Sequence, residues 1–178
     1  TVGLKKNNTK AVFYQNHTES EGYRNHSKFK QQVFNARIWH DISDRSQIRW
    51  QFNYTHSPYA YDAGGVNITS VEENRKQARP QNKTYQTYET IDHFKTGVQW
   101  EKQINEKLSW DSYAFYTHRD FVGRLPFNFG GFVDLKRDYY GLGSALEFRP
   151  NNNHRMQFRF SLADQKDHRK RFKNIDGI

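Results

Sequence analysis

Along much of the chain apolar and polar residues alternate one by one, which is the period of a β-strand and not of a helix. The pattern is clearest in Ile48, Trp50, Phe52 and Tyr54, interleaved with Arg49, Gln51, Asn53 and Thr55. It recurs at Phe94, Val98 and Trp100 against Lys95, Gln99 and Glu101, and at Met156, Phe158, Phe160 and Leu162 against Gln157, Arg159 and Ser161. Each stretch predicts a strand with one greasy face and one charged face. Less regular alternation predicts four more strands, at Thr9–Thr18, Phe29–His40, Leu108–Thr117 and Val133–Phe148, and Thr1–Leu4 reads as the stump of another. In Leu108–Thr117 both faces hold aromatic residues, so the pattern does not say which face is which.

The connections alternate in length. Short polar turns are expected at Asp41–Ser46, Ile104–Lys107 and Pro150–His154, and longer segments at Glu19–Lys28, Ser57–Tyr88 and Arg119–Phe132. Within the longest segment, Ser70-Val71-Glu72-Glu73 has the spacing of a capping box and predicts a short helix; Pro80 bars its continuation. The charged residues from Asp164 onward read as the start of another long loop.

Composition narrows what such a meander can be. Only 34% of the residues are hydrophobic, against about 45–50% in a soluble domain. Mean hydropathy is -1.10. Disordered chains are this polar but poor in aromatics, whereas 16% of residues here are Phe, Trp or Tyr. A transmembrane β-barrel reconciles the two facts, because only every second residue meets lipid and the lumen is wet. Strands of roughly 10 residues match a membrane span, and tight turns on one side with long loops on the other match an up-and-down barrel. The fold class expected is therefore all-β, an antiparallel up-and-down transmembrane barrel to which residues 1–178 give about seven strands; the family resemblance described below implies that they are one partial domain of a larger barrel. Thr1 opens no signal peptide, so an exported protein would be represented by a mature or internal piece.

The net charge of +9 raises nucleic acid as a partner. Lys and Arg are scattered, however, and the only dense basic stretch is Lys166 to Lys173. Attraction of anionic ligands or lipid headgroups fits as well, and no nucleic-acid partner is expected. The absence of cysteine rules out disulfides and thiolate metal sites.

Several phrases resemble TonB-dependent siderophore receptors of the bacterial outer membrane. Thr18-Glu19-Ser20-Glu21-Gly22-Tyr23-Arg24 with Asn25-His26-Ser27 is similar to a first-loop segment of that family. Asn53-Tyr54-Thr55-His56-Ser57-Pro58-Tyr59-Ala60 with Gly64-Gly65-Val66, then Arg75 through Pro80, is similar to the next outer loop. Tyr116-Thr117-His118-Arg119-Asp120-Phe121 with Leu125-Pro126-Phe127, and Arg137-Asp138-Tyr139-Tyr140-Gly141, resemble a further loop junction and its returning strand. The nearest likeness is to the ferric citrate receptor branch. The resemblance implies a barrel of roughly 22 strands, a plug domain that this sequence does not contain, and import of a ferric siderophore or other anionic iron complex. It also implies coupling to TonB-ExbB-ExbD through that missing plug, and outer-membrane lipid around the barrel.

Under that reading the outer loops would form an anion-collecting vestibule. Its candidate residues are Tyr23, Arg24, His26, Tyr59, Arg75, Arg79, Arg119 and Arg124. Arginine forks bind carboxylates in two-pronged fashion, and tyrosine offers a flat surface with a polar tip. Trp39, Trp50, Trp100 and Trp110 lie in predicted strands and are expected to face lipid or form a girdle. Arg37, Arg49, Lys95, Glu101, Asp111 and Arg159 should share the watery face.

None of the eight histidines has zinc-site spacing, and a siderophore already fills the coordination shell of its iron. No metal ligand and no cofactor are expected. The sequence has neither a Gly-x-Ser-x-Gly elbow nor a phosphate loop, and no catalytic residues are assigned. Two alternatives share parts of the pattern: a passive porin-like barrel, and a soluble basic β-rich binding module.

Overall fold

The structure is a computed structural model that describes residues 1–177. It is all-β apart from two short helices. Eight strands follow one another in a single antiparallel sheet, each bonded to its sequence neighbours: β1 (Val2–Lys6), β2 (Thr9–Ser20), β3 (Phe29–Ser43), β4 (Ser46–Tyr61), β5 (Tyr88–Asn105), β6 (Leu108–Arg124), β7 (Phe132–Asn151) and β8 (His154–Phe172). The stump at the N-terminus is thus a strand in its own right, and the count is eight where about seven were expected. The sheet is open, with β1 and β8 at its edges.

Turn chemistry sets the rhythm. Four connections are two-residue turns: Asn7-Asn8, Asp44-Arg45, Glu106-Lys107 and Asn152-Asn153. Asn7 takes the positive φ of 48° that asparagine tolerates in such turns. In the other three, the last strand residue accepts a bond from the backbone N–H two residues on: Ser43 from Arg45, Asn105 from Lys107 and Asn151 from Asn153. These side chains mimic a backbone turn and pin the register of each hairpin. All long connections, 21–28, 62–87 and 125–131, lie at the opposite end of the strands.

The strands at that end run further than alternation of greasy residues suggests. Asp164 to Phe172 is the outer half of β8 and not a loop: Asp164 pairs with Tyr140, Lys166 with Asp138, Lys170 with Asp134 and Phe172 with Phe132. Charged residues on both faces hide the strand from a hydrophobic-period reading, while the backbone ladder continues regardless.

The helices correct a second expectation. The first, α1 (Ile68–Glu73), is capped by Asn67, whose side chain accepts from the Ser70 N–H at 2.8 Å; Ser70 lies inside the helix and does not cap it. Asparagine is among the best caps. Pro80 opens a second helix, α2 (Pro80–Thr84), where its missing N–H is no loss.

The fold has no core of large side chains. Among the described residues the buried apolar ones are Ala36, Ala63, Ala78, Val133 and Ala145. The accessible surface is 12313 Å², whereas a compact monomer of this mass exposes about 9,100 Å². Among the described residues no second layer covers the sheet, and Phe158, Phe160 and Leu162 are 70%, 61% and 63% exposed.

Register sorts the side chains onto two faces. Ile38, Trp50, Val98, Ala114, Leu142 and Leu162 form one cross-strand row of an apolar face. The edges of that apolar band do not follow the rows. Its upper edge is Tyr54 on β4 and Leu162 on β8, and Leu162 is level with Trp50, four residues short of Tyr54. Its lower edge is Ile48 on β4 and Met156 on β8, and Ile48 is level with Phe160, four residues past Met156. Both edges therefore drift by the same amount, ~14 Å along the strands over ~19 Å across them. A level apolar belt then requires strands tilted by about 35°, within the range of closed membrane barrels.

Candidate functional site

The apolar face satisfies its own polar atoms. Trp50 donates its indole N–H to Thr96 Oγ1 at 2.9 Å, Trp100 to Ser46 Oγ at 2.9 Å and Trp110 to Ser144 Oγ at 2.6 Å. Each acceptor lies diagonally across on the neighbouring strand. This explains the hydroxyls that interrupt the greasy face, because an unpaired N–H in an apolar medium costs several kcal/mol. Toward the long-loop end the same device uses tyrosine and aspartate: Tyr54 donates to Asp92, Tyr116 to Asp138 and Tyr140 to Asp164. His56 and His118 bind the same carboxylates, Asp92 and Asp138, through Nδ1 at 2.7 Å. Trp39 departs from expectation. It pairs with Lys10 and Arg49, on the polar face, because it is out of step with Ile38 and Trp50.

The polar face carries Arg37, Arg49, Lys95, Glu101, Asp111 and Arg159 together. Across β5–β8 its half nearest the short turns balances its charges, with Glu101, Asp111 and Glu147 against Arg149, Arg155 and Arg159. Arg49 Nη2 meets Glu101 Oε2 at 2.7 Å, and Gln99 Nε2 donates to Glu101 Oε1 at 3.1 Å and Asp111 Oδ2 at 2.5 Å. The half nearest the long loops is cationic across β5–β8. Lys95, Arg119, Arg137, Arg169 and Arg171 face only Glu89 and Asp167 there. His93, Arg119 and Arg137 stand in one row, with Asp167 beside Arg137. The Arg137–Asp167 pair is two-pronged, at 2.7 and 2.6 Å. Arg119 instead stacks over Phe121 at 5.3 Å, and its Nε is buried without a partner.

Aromatics in β6 fall on both faces for a reason only register reveals. Trp110 and Tyr116 join the apolar face, while Tyr113 and Phe115 join the polar one. Tyr113 faces Gly143 and Phe115 faces Gly141 on β7, and the missing side chains leave room for the rings to lie against that strand. A Cβ on Gly143 would stand 2.6 Å from the Tyr113 ring, and one on Gly141 2.8 Å from Phe115. The two rings are near-parallel, 18° apart, and Tyr139 adjoins Phe115 with centroids 5.0 Å apart.

Above this wall the long loops are stitched together by polar side chains. Asn174, fully buried, donates to the carbonyls of Tyr85 at 2.9 Å and Leu125 at 3.0 Å. Asn82 and Thr87, each 1% exposed, close on Asp62. Arg24 reaches from loop 21–28 into loop 62–87, donating to the carbonyls of Gly64 at 2.6 Å and Gln77 at 2.8 and 2.9 Å, with a longer contact to Ala63. His26 Nε2 meets the Thr87 carbonyl at 2.8 Å. Lys28 pairs with Glu21 at 2.7 Å, and that bond holds its ammonium above the ordinary lysine range.

The eight candidates of the sequence are accordingly dispersed. Arg24 and His26 are engaged with backbone between loops, while Tyr23, Arg75 and Arg79 are exposed loop residues. Tyr59 and Arg124 project from the same face as the apolar band. Tyr59 pairs with Lys30 beyond a register shift next to Pro58 and donates to Glu19 at 2.9 Å. Arg124 lies between the rings of Tyr88 and Phe132, at 5.3 and 5.5 Å, and donates to the Gly177 carbonyl. Arg119 alone of the eight stands on the polar wall. Its neighbours Arg137, Arg169 and Arg171 were not among the candidates. Arg137 lies on a strand far along the chain, and the other two lie in a stretch read as loop.

A single open meander with one apolar face, one polar face and a tilted apolar band is a segment of barrel wall. Among solved structures it is similar to the ferric citrate transporter FecA in its unliganded form, with a TM-score of 0.73 at 14% identity, over 99% of this chain and 27% of that one. At that identity the likeness establishes the barrel fold. The chain spans about a quarter of the length of that transporter, and no family model matches it.

Proposed function

We propose that the chain forms part of the wall of a TonB-dependent outer-membrane receptor that imports a ferric siderophore or another anionic iron complex. The observation that carries this reading is the cationic half of the polar wall across β5–β8, set beneath interlocked loops in a barrel segment similar to a ferric citrate transporter. The apolar face lies against outer-membrane lipid, and the polar face lines the lumen. TonB-ExbB-ExbD would act through a plug supplied by another part of the receptor. A soluble basic module is disfavoured by the greasy face that nothing in the sheet covers. A passive porin shares the wall but gives no reason for a roof stitched by Asn82, Asn174 and Arg24.

The test is uptake of radioiron complexes by cells producing the full-length protein. The reading expects accumulation that stops when the proton gradient is collapsed or TonB is deleted. Uptake that persists unchanged under both treatments would mean a passive barrel.

A further inference from the structure

We infer that the polar wall of β5–β8 takes an anion bearing flat aromatic groups, its acidic oxygens held between Arg119 and Arg137 and its rings laid on Tyr139 and Phe115. The inference rests on the importer reading of that wall and names the chemistry of the ligand.

Two arrangements lead to it. The first is electrostatic. Arg119 is directly opposite Arg137 and next to His93, and like charges opposite one another destabilise a sheet. Asp167 gives both of its oxygens to Arg137, and among the described residues no carboxylate pairs with Arg119. Its Nε is moreover shut away from solvent with no acceptor. The outer N–H groups of the Arg119 guanidinium, which are not shut away, are the donors an incoming oxyanion would meet.

The second arrangement is the bare strip of β7. Gly141 and Gly143 let Tyr113 and Phe115 lie flat on a face that is otherwise hydrophilic, and Tyr139 extends the shelf toward the arginines. Tyr139 is two residues from Arg137 on the same face, a separation of about 7 Å. A compact hydroxycarboxylate complex would use the arginines and leave the shelf idle. A ligand with aromatic rings uses both, since ring stacking adds to charge pairing without requiring fixed hydrogen-bond geometry.

The experiment measures binding to the full-length protein in detergent, with two probes: iron(III) held by a hexadentate tris-catechol, and iron(III) citrate. The tris-catecholate should bind at least about tenfold tighter. Phe115→Leu and Tyr139→Leu should each weaken it about three- to tenfold and leave citrate unchanged, while Tyr139→Phe, which keeps the ring, retains binding. Arg119→Gln should weaken both probes by about tenfold or more. Unfolding midpoints separate these effects from loss of the barrel. Citrate binding as tight as the catecholate, equal losses for both probes in the leucine variants, or no binding of either probe would overturn the inference. Aromatic preference without energised uptake would sink the importer reading alone. Energised uptake of citrate with no aromatic preference would sink this inference alone.

Discussion

Trp110 on β6 hands its indole N–H to Ser144 on β7, 2.6 Å away, and Ser144 is in turn 2.9 Å from Ser112. A serine in the middle of a greasy face is thus the acceptor that lets a tryptophan stand exposed on that face. Ser144→Ala should destabilise the full-length protein in detergent by about 1–2 kcal/mol, because it strands the indole donor. Adding Trp110→Phe should recover most of that loss, since removing both partners is nearly neutral. A double variant no more stable than the single one would show that the bond contributes little.

The two glycines of β7 should differ in tolerance. A Cβ on Gly141 meets the Leu162 carbonyl at 2.7 Å as well as Phe115, whereas the nearest atoms to one on Gly143 all belong to the far end of Tyr113. Backbone cannot step aside, but a tyrosine ring can. Gly141→Ala is expected to cost about 1–3 kcal/mol and Gly143→Ala clearly less, with the ring of Tyr113 displaced from the wall. Chemical denaturation of both variants checks the order.

Loop integrity should depend on buried polar side chains. Asn174→Ala leaves the carbonyls of Tyr85 and Leu125 without their donor, a loss of about 1–3 kcal/mol confined to the roof. Arg24→Gln should likewise loosen loops 21–28 and 62–87, while Arg75→Gln, at an exposed site, changes stability by less than about 0.5 kcal/mol. Limited proteolysis and amide exchange would report this. Equal cleavage of all three variants would count against the stitching.

Accessibility along β8 should alternate. The chain has no cysteine, so single cysteines can be placed cleanly. Labels replacing Phe158, Phe160 and Leu162 in the full-length protein in membranes should be quenched by lipid-soluble agents. Labels replacing Gln157, Arg159 and Ser161 should react with water-soluble ones. Loss of the two-residue period would contradict the assignment of the faces.

Arg119 illustrates why the site was less legible than the fold. Its residue type and its expected place in an outer loop make it a candidate, but it lies within strand β6, and its significance comes from Arg137 across the ladder and from Asp167 beyond it. Arg169 and Arg171 were hidden because polar residues on both faces of outer β8 erase the hydrophobic period. Residue type alone points Trp39 at lipid, but its position in the alternation places it among Lys10 and Arg49.

Local chemistry alone determined the strands, their two-faced character and the alternation of tight turns with long loops. A period of two, and side chains such as Asn105 and Asn151 at the turns, act within a few residues of one another. Tertiary structure decided the rest. It settled the two faces of β6, through the glycines of β7, and the tilt of the apolar band. It brought the arginines into one row and gave Arg24 its grip on a neighbouring loop. Each of these depends on which residues of distant strands and loops lie side by side, and cross-strand register is a property of pairs of strands that no single stretch of chain encodes.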